Sequence, residues 1–137
     1  MRGALVSICW LYLFLAVSSR AETLRLPATA DIWLSHATPR ESDTGAGGSP
    51  VFKLKSVQEL AAIRFDLTSI HGRTLSAARL HLRGRGELAP RWLRVSTVSA
   101  RWTEGNAVRA YSGRDGASWN SPDIPDSASW SWPGSSF

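Results

Sequence analysis

The chain has 137 residues, with 16 Lys and Arg against 11 Asp and Glu, a formal charge of +5, one cysteine and seven tryptophans. That length carries a single domain. The charge is too mild for a nucleic-acid binder, and a lone cysteine excludes a disulfide framework within the chain.

The first segment is expected to be a leader. Met1-Arg2 gives a positive start, Ala4 to Val17 is an uncharged apolar run, and Ser19-Arg20-Ala21 puts small residues at the −3 and −1 positions of a cut after Ala21. A positive start, a short apolar stretch and a small-x-small site make a secretory signal. The run is shorter than the about 20 residues that span hydrocarbon, which weighs against a retained anchor. The expectation is therefore a signal peptide over 1–21 and a secreted or extracytoplasmic domain (periplasm or cell surface) over 22–137. No membrane association is expected after cleavage. Arg2, Arg20 and Cys9 leave with the leader, so the formal charge falls from +5 to +3 and no thiol remains. An exported domain without disulfides holds itself by its core, or with help from a bound cation or neighbouring domains.

Beyond the leader the apolar period is two. Thr23–Leu26 alternates, Asp31–Leu34 makes a short strand, and 38–50 is a long Gly/Ser/Pro loop. Val51–Lys55 alternates again, Ser56–Ala61 has the composition of a helical turn, and Ile63–Leu67 resumes alternation. Ala78–Arg83 is the cleanest case: Leu80 and Leu82 share one face, while Arg79, His81 and Arg83 share the other. Arg91–Val98 is rich in aromatic and β-branched residues and predicts another strand. From 109 to 137, Ser, Gly, Pro and Trp dominate. Trp119, Trp130 and Trp132 predict irregular loops that pack onto something, because flexible linkers seldom carry tryptophan. The fold class expected is all-β, an antiparallel β-sandwich of jelly-roll type.

Four stretches carry a resemblance. Ala30-Asp31-Ile32-Trp33 comes first. Ile63-Arg64-Phe65-Asp66-Leu67-Thr68-Ser69-Ile70 follows, with Leu75-Ser76-Ala77-Ala78-Arg79-Leu80-His81-Leu82 behind it. Arg101-Trp102-Thr103-Glu104-Gly105-Asn106 is third, and Ala117-Ser118-Trp119-Asn120 with Trp130 to Phe137 closes the set. In this order they resemble the DNRLRE-type domain, the group that includes carbohydrate-binding-module family 96. The resemblance covers 22–137, and RFDL followed by WTEG is its specific part. It implies a jelly-roll-like sandwich in secreted or surface proteins. Such domains sit beside polysaccharide-degrading domains or in adhesive chains, and some bind acidic polysaccharide. It also implies that Asp31, Arg64, Asp66, Trp102 and Glu104 are motif residues, with Trp102 anchoring its turn. Two departures stand out. The loop Arg40 to Pro50 replaces the family's Asn/Tyr-Gly-rich one, and the family domain continues into strands beyond the position of Phe137. Either the chain is a fragment, with further domains missing, or the C-terminal edge of the sandwich is open.

Ligand-binding candidates come from the exposed faces. Arg79, His81 and Arg83, with Arg94, can form a basic ladder whose guanidinium forks suit carboxylate or sulfate; a plain solvated face is the competing account. Trp92 alternates with Leu93 and Val95, which turns its indole outward beside Arg94, a surface on which a sugar ring can stack. The carboxylates of Asp31, Asp66 and Glu104 leave calcium admissible but unplaced. No nucleophile elbow, HExxH or phosphate loop occurs, so no catalytic residue is assigned and no enzyme is expected. The function expected is a secreted, non-catalytic module whose partner is polysaccharide, including acidic polysaccharide, with no nucleic-acid partner. Two alternatives stay open: a structural or adhesive spacer of the same fold without a sugar site, and the N-terminal fragment of a secreted carbohydrate-active enzyme.

Overall fold

The computed structural model describes residues 21–85, 92–109, 112–126 and 129–130. The expected signal peptide, Arg91 and Trp132 lie outside the described residues. The regular structure is mostly strand. It comprises β1 (Ala28–Ser35), a one-turn helix α1 (Pro39–Ser42), the two-residue β2 (Gly45–Ala46) and β3 (Glu59–Phe65), with short 3-10 turns at Ser56–Gln58 and Thr68–Ile70.

The three strands form one antiparallel sheet in the order β2-β1-β3. Strand β1 is central, and its side chains alternate in burial. Ala30, Ile32 and Leu34 are buried, while Asp31 and Trp33 on the other face are half-buried. Along β3 the register runs from Ser35 opposite Glu59, through Ile32 opposite Ala62, to Ala28 opposite Phe65, with an irregularity between Ala28 and Ala30. On the other side Trp33 faces Ala46 and Leu34 faces Gly45.

The chain turns from β1 into β2 through α1. Thr38 caps the helix by accepting the Glu41 N–H on its hydroxyl at 3.3 Å, and Pro39 occupies the first turn, where its missing N–H costs nothing. The sequence Thr38-Pro39-Arg40-Glu41 has the spacing of a capping box, but the Glu41 carboxylate reaches instead to the Ser35 hydroxyl at 2.6 Å. The helix is thereby tied to the end of β1. Gly45 is required by clearance: a Cβ there would lie 2.0 Å from the Ala117 carbonyl oxygen and 2.8 Å from Ile32 Cδ1.

The buried face of the sheet is covered by loops. Ala30, Ile32, Leu34 and Ala62 pack against Trp102, Ala117 and Trp130, with Leu60, Val98 and Trp119 at the margin. The covering segment is stitched to itself. Thr103 N–H donates to the Pro122 carbonyl at 3.1 Å, Ala117 N–H to Thr103 at 2.7 Å and Ile124 N–H to Gly116 at 3.0 Å. The expectation that Trp119 and Trp130 pack onto something holds, and that something is the sheet.

Several strand expectations are corrected. Thr23–Leu26, Val51–Lys55, Ala78–Arg83 and the described part of Arg91–Val98 form no ladder, so among the described residues there is one sheet rather than two. Leu80 and Leu82 are 45 % and 47 % exposed. Alternation supplies one apolar stripe, but a strand also needs a neighbour for its backbone N–H and C=O groups, and these segments pair with none among the described residues. The helical-turn expectation at Ser56–Ala61 fails at its second half. The 3-10 turn stops at Gln58 and Glu59 opens β3, because pairing with β1 overrides a weak local preference. The strand expected at Ile63–Leu67 begins four residues earlier and ends at Phe65. The long loop 38–50 contains both α1 and β2.

Candidate functional site

Four of the five motif residues converge. The Arg64 guanidinium lies over the Trp102 ring, 4.5 Å from its centroid, and its Nη2 donates to the Trp102 carbonyl oxygen. Two residues further on, Glu104 accepts the Asp31 backbone N–H on Oε1 at 2.8 Å. The Trp102–Glu104 turn is therefore bolted to β3 through Arg64 and to β1 through Asp31. Gly105 closes the turn at φ 71, where a side chain would be strained, and a Cβ would also meet Gly116 at 2.9 Å. Burial, and secondly the nearby Glu104 charge, push the Asp31 carboxyl above its ordinary value.

Asp66 stands apart from this cluster. Its Oδ1 accepts the Thr68 N–H at 2.9 Å and the Thr68 hydroxyl, an Asx-type turn that leads into the 3-10 turn Thr68–Ile70. These bonds hold its carboxyl below the ordinary value.

The ligand-binding candidates divide into two groups. Trp92 and Arg94 line an open cleft of about 1620 Å³ that runs along β3, together with Leu80 and Leu82 and the 95–103 stretch. The Trp92 indole is 75 % exposed. Arg79, His81 and Arg83 are exposed and do not line the cleft. The alternation of this segment thus survives in extended chain without a ladder: leucines line the cleft and cations do not. The basic ladder expected to join all four cations is not assembled there.

Three polar groupings in the structure had no sequence signal. Lys53 pairs with Glu59 at 3.2 Å and lies 5.6 Å from the centroid of the Trp33 ring, so the Glu59 side chain, 2 % exposed, is neutralised at the end of β3. His36 stacks on Trp119 with ring centroids 5.2 Å apart. Its Nδ1 meets the buried Ser42 hydroxyl at 2.7 Å, and that hydroxyl lies 3.1 Å from the Thr38 carbonyl. The hydroxyl has one proton, so it donates to the Thr38 carbonyl when Nδ1 carries a hydrogen and to Nδ1 in the other tautomer. The third grouping joins Asp43 to Asn120, whose Nδ2 donates to Oδ1 at 2.8 Å across 77 residues. Asp43 and Asn120, 77 residues apart and both outside regular structure, leave no spacing to read.

Among the described residues no three His, Asp or Glu gather as metal ligands, and no helix is long and apolar enough to cross a membrane. No family model, curated protein or solved structure matches the chain.

Proposed function

We propose that the chain is a secreted, non-catalytic β-rich module that binds polysaccharide along the cleft beside β3, with Trp92 as the stacking surface and Arg94 as its cationic partner. The observation that carries this is the 75 % exposed Trp92 indole on the wall of an open cleft. Leaving so much indole in water loses the hydrophobic gain of burial, whereas a sugar ring recovers it through contact with the apolar C–H face. An open groove rather than a closed pocket suits a chain that enters and leaves at both ends. Arg94 favours a glycan bearing carboxylate or sulfate. Affinity electrophoresis through gels holding alginate, heparin or a neutral glucan tests it. Retardation by at least one polymer, with altered tryptophan fluorescence, is expected, and Trp92→Ala should abolish both.

A second function is favoured by a different observation. Among the described residues strand β3 stands at the edge of the sheet, and Leu80, Leu82, Leu93 and Val95 face the same cleft about half-exposed or more. Unpaired backbone beside apolar side chains suits another strand. In that case the module is a structural or adhesive spacer, its sheet one half of a jelly-roll-like sandwich of the DNRLRE type. Unretarded migration in all three gels, with fluorescence unchanged, would favour the spacer.

A further inference from the structure

A second cavity, of about 270 Å³, shares no lining residue with the cleft; Asp43, Arg114, Ser118, Asn120 and Ile124 contribute to its wall. Its floor is held by hydrogen bonds. Ser118 is buried; its N–H donates to the Ser121 carbonyl at 2.7 Å, and its carbonyl accepts the Trp130 indole N–H at 2.9 Å. The Ser118 hydroxyl oxygen accepts the Asn120 N–H at 3.2 Å and the Ser121 N–H at 3.0 Å. Asn120 N–H also lies 3.2 Å from the Ser42 carbonyl, so its backbone is fixed from two sides. Its carboxamide must then present Nδ2 to Asp43, because a carboxylate only accepts.

What stays open at the rim is a matched set. Among the described residues Asp43 retains Oδ2, Asn120 retains its second Nδ2 hydrogen, and Arg114 makes no ion pair. A hydroxyl group donates and accepts at once, and a vicinal diol presents two such groups side by side. A carboxylate oxygen next to an amide N–H takes a hydroxyl in both senses, the guanidinium adds donors for a ring oxygen or a further hydroxyl, and Ile124 offers an apolar surface to the C–H face. The volume lies just below the roughly 300 Å³ at which sites for drug-sized ligands begin, which suits a single sugar ring.

We infer that this cup binds a single sugar unit, holding a vicinal diol between Asp43 and Asn120 with Arg114 as the additional donor. The site goes beyond the polysaccharide cleft, and because it uses none of the same residues, either can fail without the other. Its test is a titration of the isotope-labelled full chain, followed by NMR, with the methyl glycosides of glucose, mannose and galactose, and with glycine as a zwitterionic control. The Ile124 methyl and Asn120 side-chain amide signals should shift saturably with at least one glycoside. Asp43→Asn keeps an oxygen for the Asn120 bond and removes the charge, and Arg114→Ala removes an exposed side chain, so both should fold. Each should weaken the glycoside by about tenfold, the worth of one charge-assisted hydrogen bond. Trp92→Ala should leave this titration unchanged. Absence of shifts with all three glycosides, equal affinity in the Asp43 and Arg114 variants, or equal shifts with glycine would each overturn the assignment.

Discussion

Arg64 holds Trp102 at two points: its guanidinium covers the indole at 4.5 Å and one of its N–H groups reaches the carbonyl of the same residue. A strand residue and a loop residue 38 positions apart are thereby fixed in both distance and orientation. Replacing Arg64 by Met, which keeps much of the stem but no donor, should cost about 2–4 kcal/mol in urea denaturation, the sum of an exposed cation–π contact and a charge-assisted hydrogen bond. Arg64→Lys should recover little of the loss, since an ammonium cannot lie flat on the ring and donate sideways. An unchanged midpoint in Arg64→Met would remove the bolt from the account of this turn.

Asp31→Asn should stabilise the protein at neutral pH. A carboxyl raised in the folded state favours its protonated form there. Its contribution is thus fully present below the ordinary value of 3.8 and is lost as pH rises through the raised one. The amide avoids that loss. The gain in urea midpoint should therefore grow with pH and vanish well below 3.8. The Asp31 backbone N–H still reaches Glu104 in the variant, so the turn stays in place.

The opposite sign applies at Asp66. Its carboxyl is held down by Thr68, so its contribution is present above 3.8 and is lost as pH falls through the lowered value. Thr68→Ala removes the hydroxyl donor and leaves the backbone one. The Asp66 titration, followed by carboxyl-carbon NMR, should move up toward the ordinary value. Any difference in stability from the parent should fade in acid.

Gly45→Ala should cost about 2 kcal/mol or more, because the added methyl meets a backbone oxygen of the covering loop, which cannot rotate away as a side chain would. Gly84→Ala is the matched control: nothing lies within 4 Å of its Cβ position, and stability should be unchanged. Equal behaviour of the two variants would show that Ala117 does not press on β2.

Leu80→Ser combined with Leu82→Ser should lower binding of an apolar dye while moving stability by no more than about 0.5 kcal/mol, since both side chains are already half in water. A loss of several kcal/mol would mean that these leucines are covered in solution.

The legible part of the fold was the part whose specification is local. The short strand expected at Asp31–Leu34 lies within β1, and the tryptophans of the Ser/Pro-rich region announced a packed loop that Trp119 and Trp130 form. Strand β2 could not be read, because Gly45-Ala46 is chosen by the space beneath Ala117 rather than by strand propensity. At Ala78–Arg83 the pattern was clear and the ladder absent: periodicity says which side chains share a face, and only a neighbouring strand supplies the bonds. Of the candidate site, alternation put Trp92 and Arg94 on a face apart from Leu93 and Val95, whereas all four line the one cleft. The Asp43–Asn120 pair was not legible, since it depends on two loops meeting from opposite ends of the chain.

The cover of the sheet comes late. Every strand among the described residues is complete by Phe65, yet Trp102, Ala117 and Trp130, which shield the sheet's apolar face, are synthesised only afterwards. A chain delivered N-terminus first thus carries naked grease on Ile32 and Leu34 through dozens of peptide bonds. Its window of vulnerability to clumping is set by translation speed and by whatever escorts the polypeptide meanwhile.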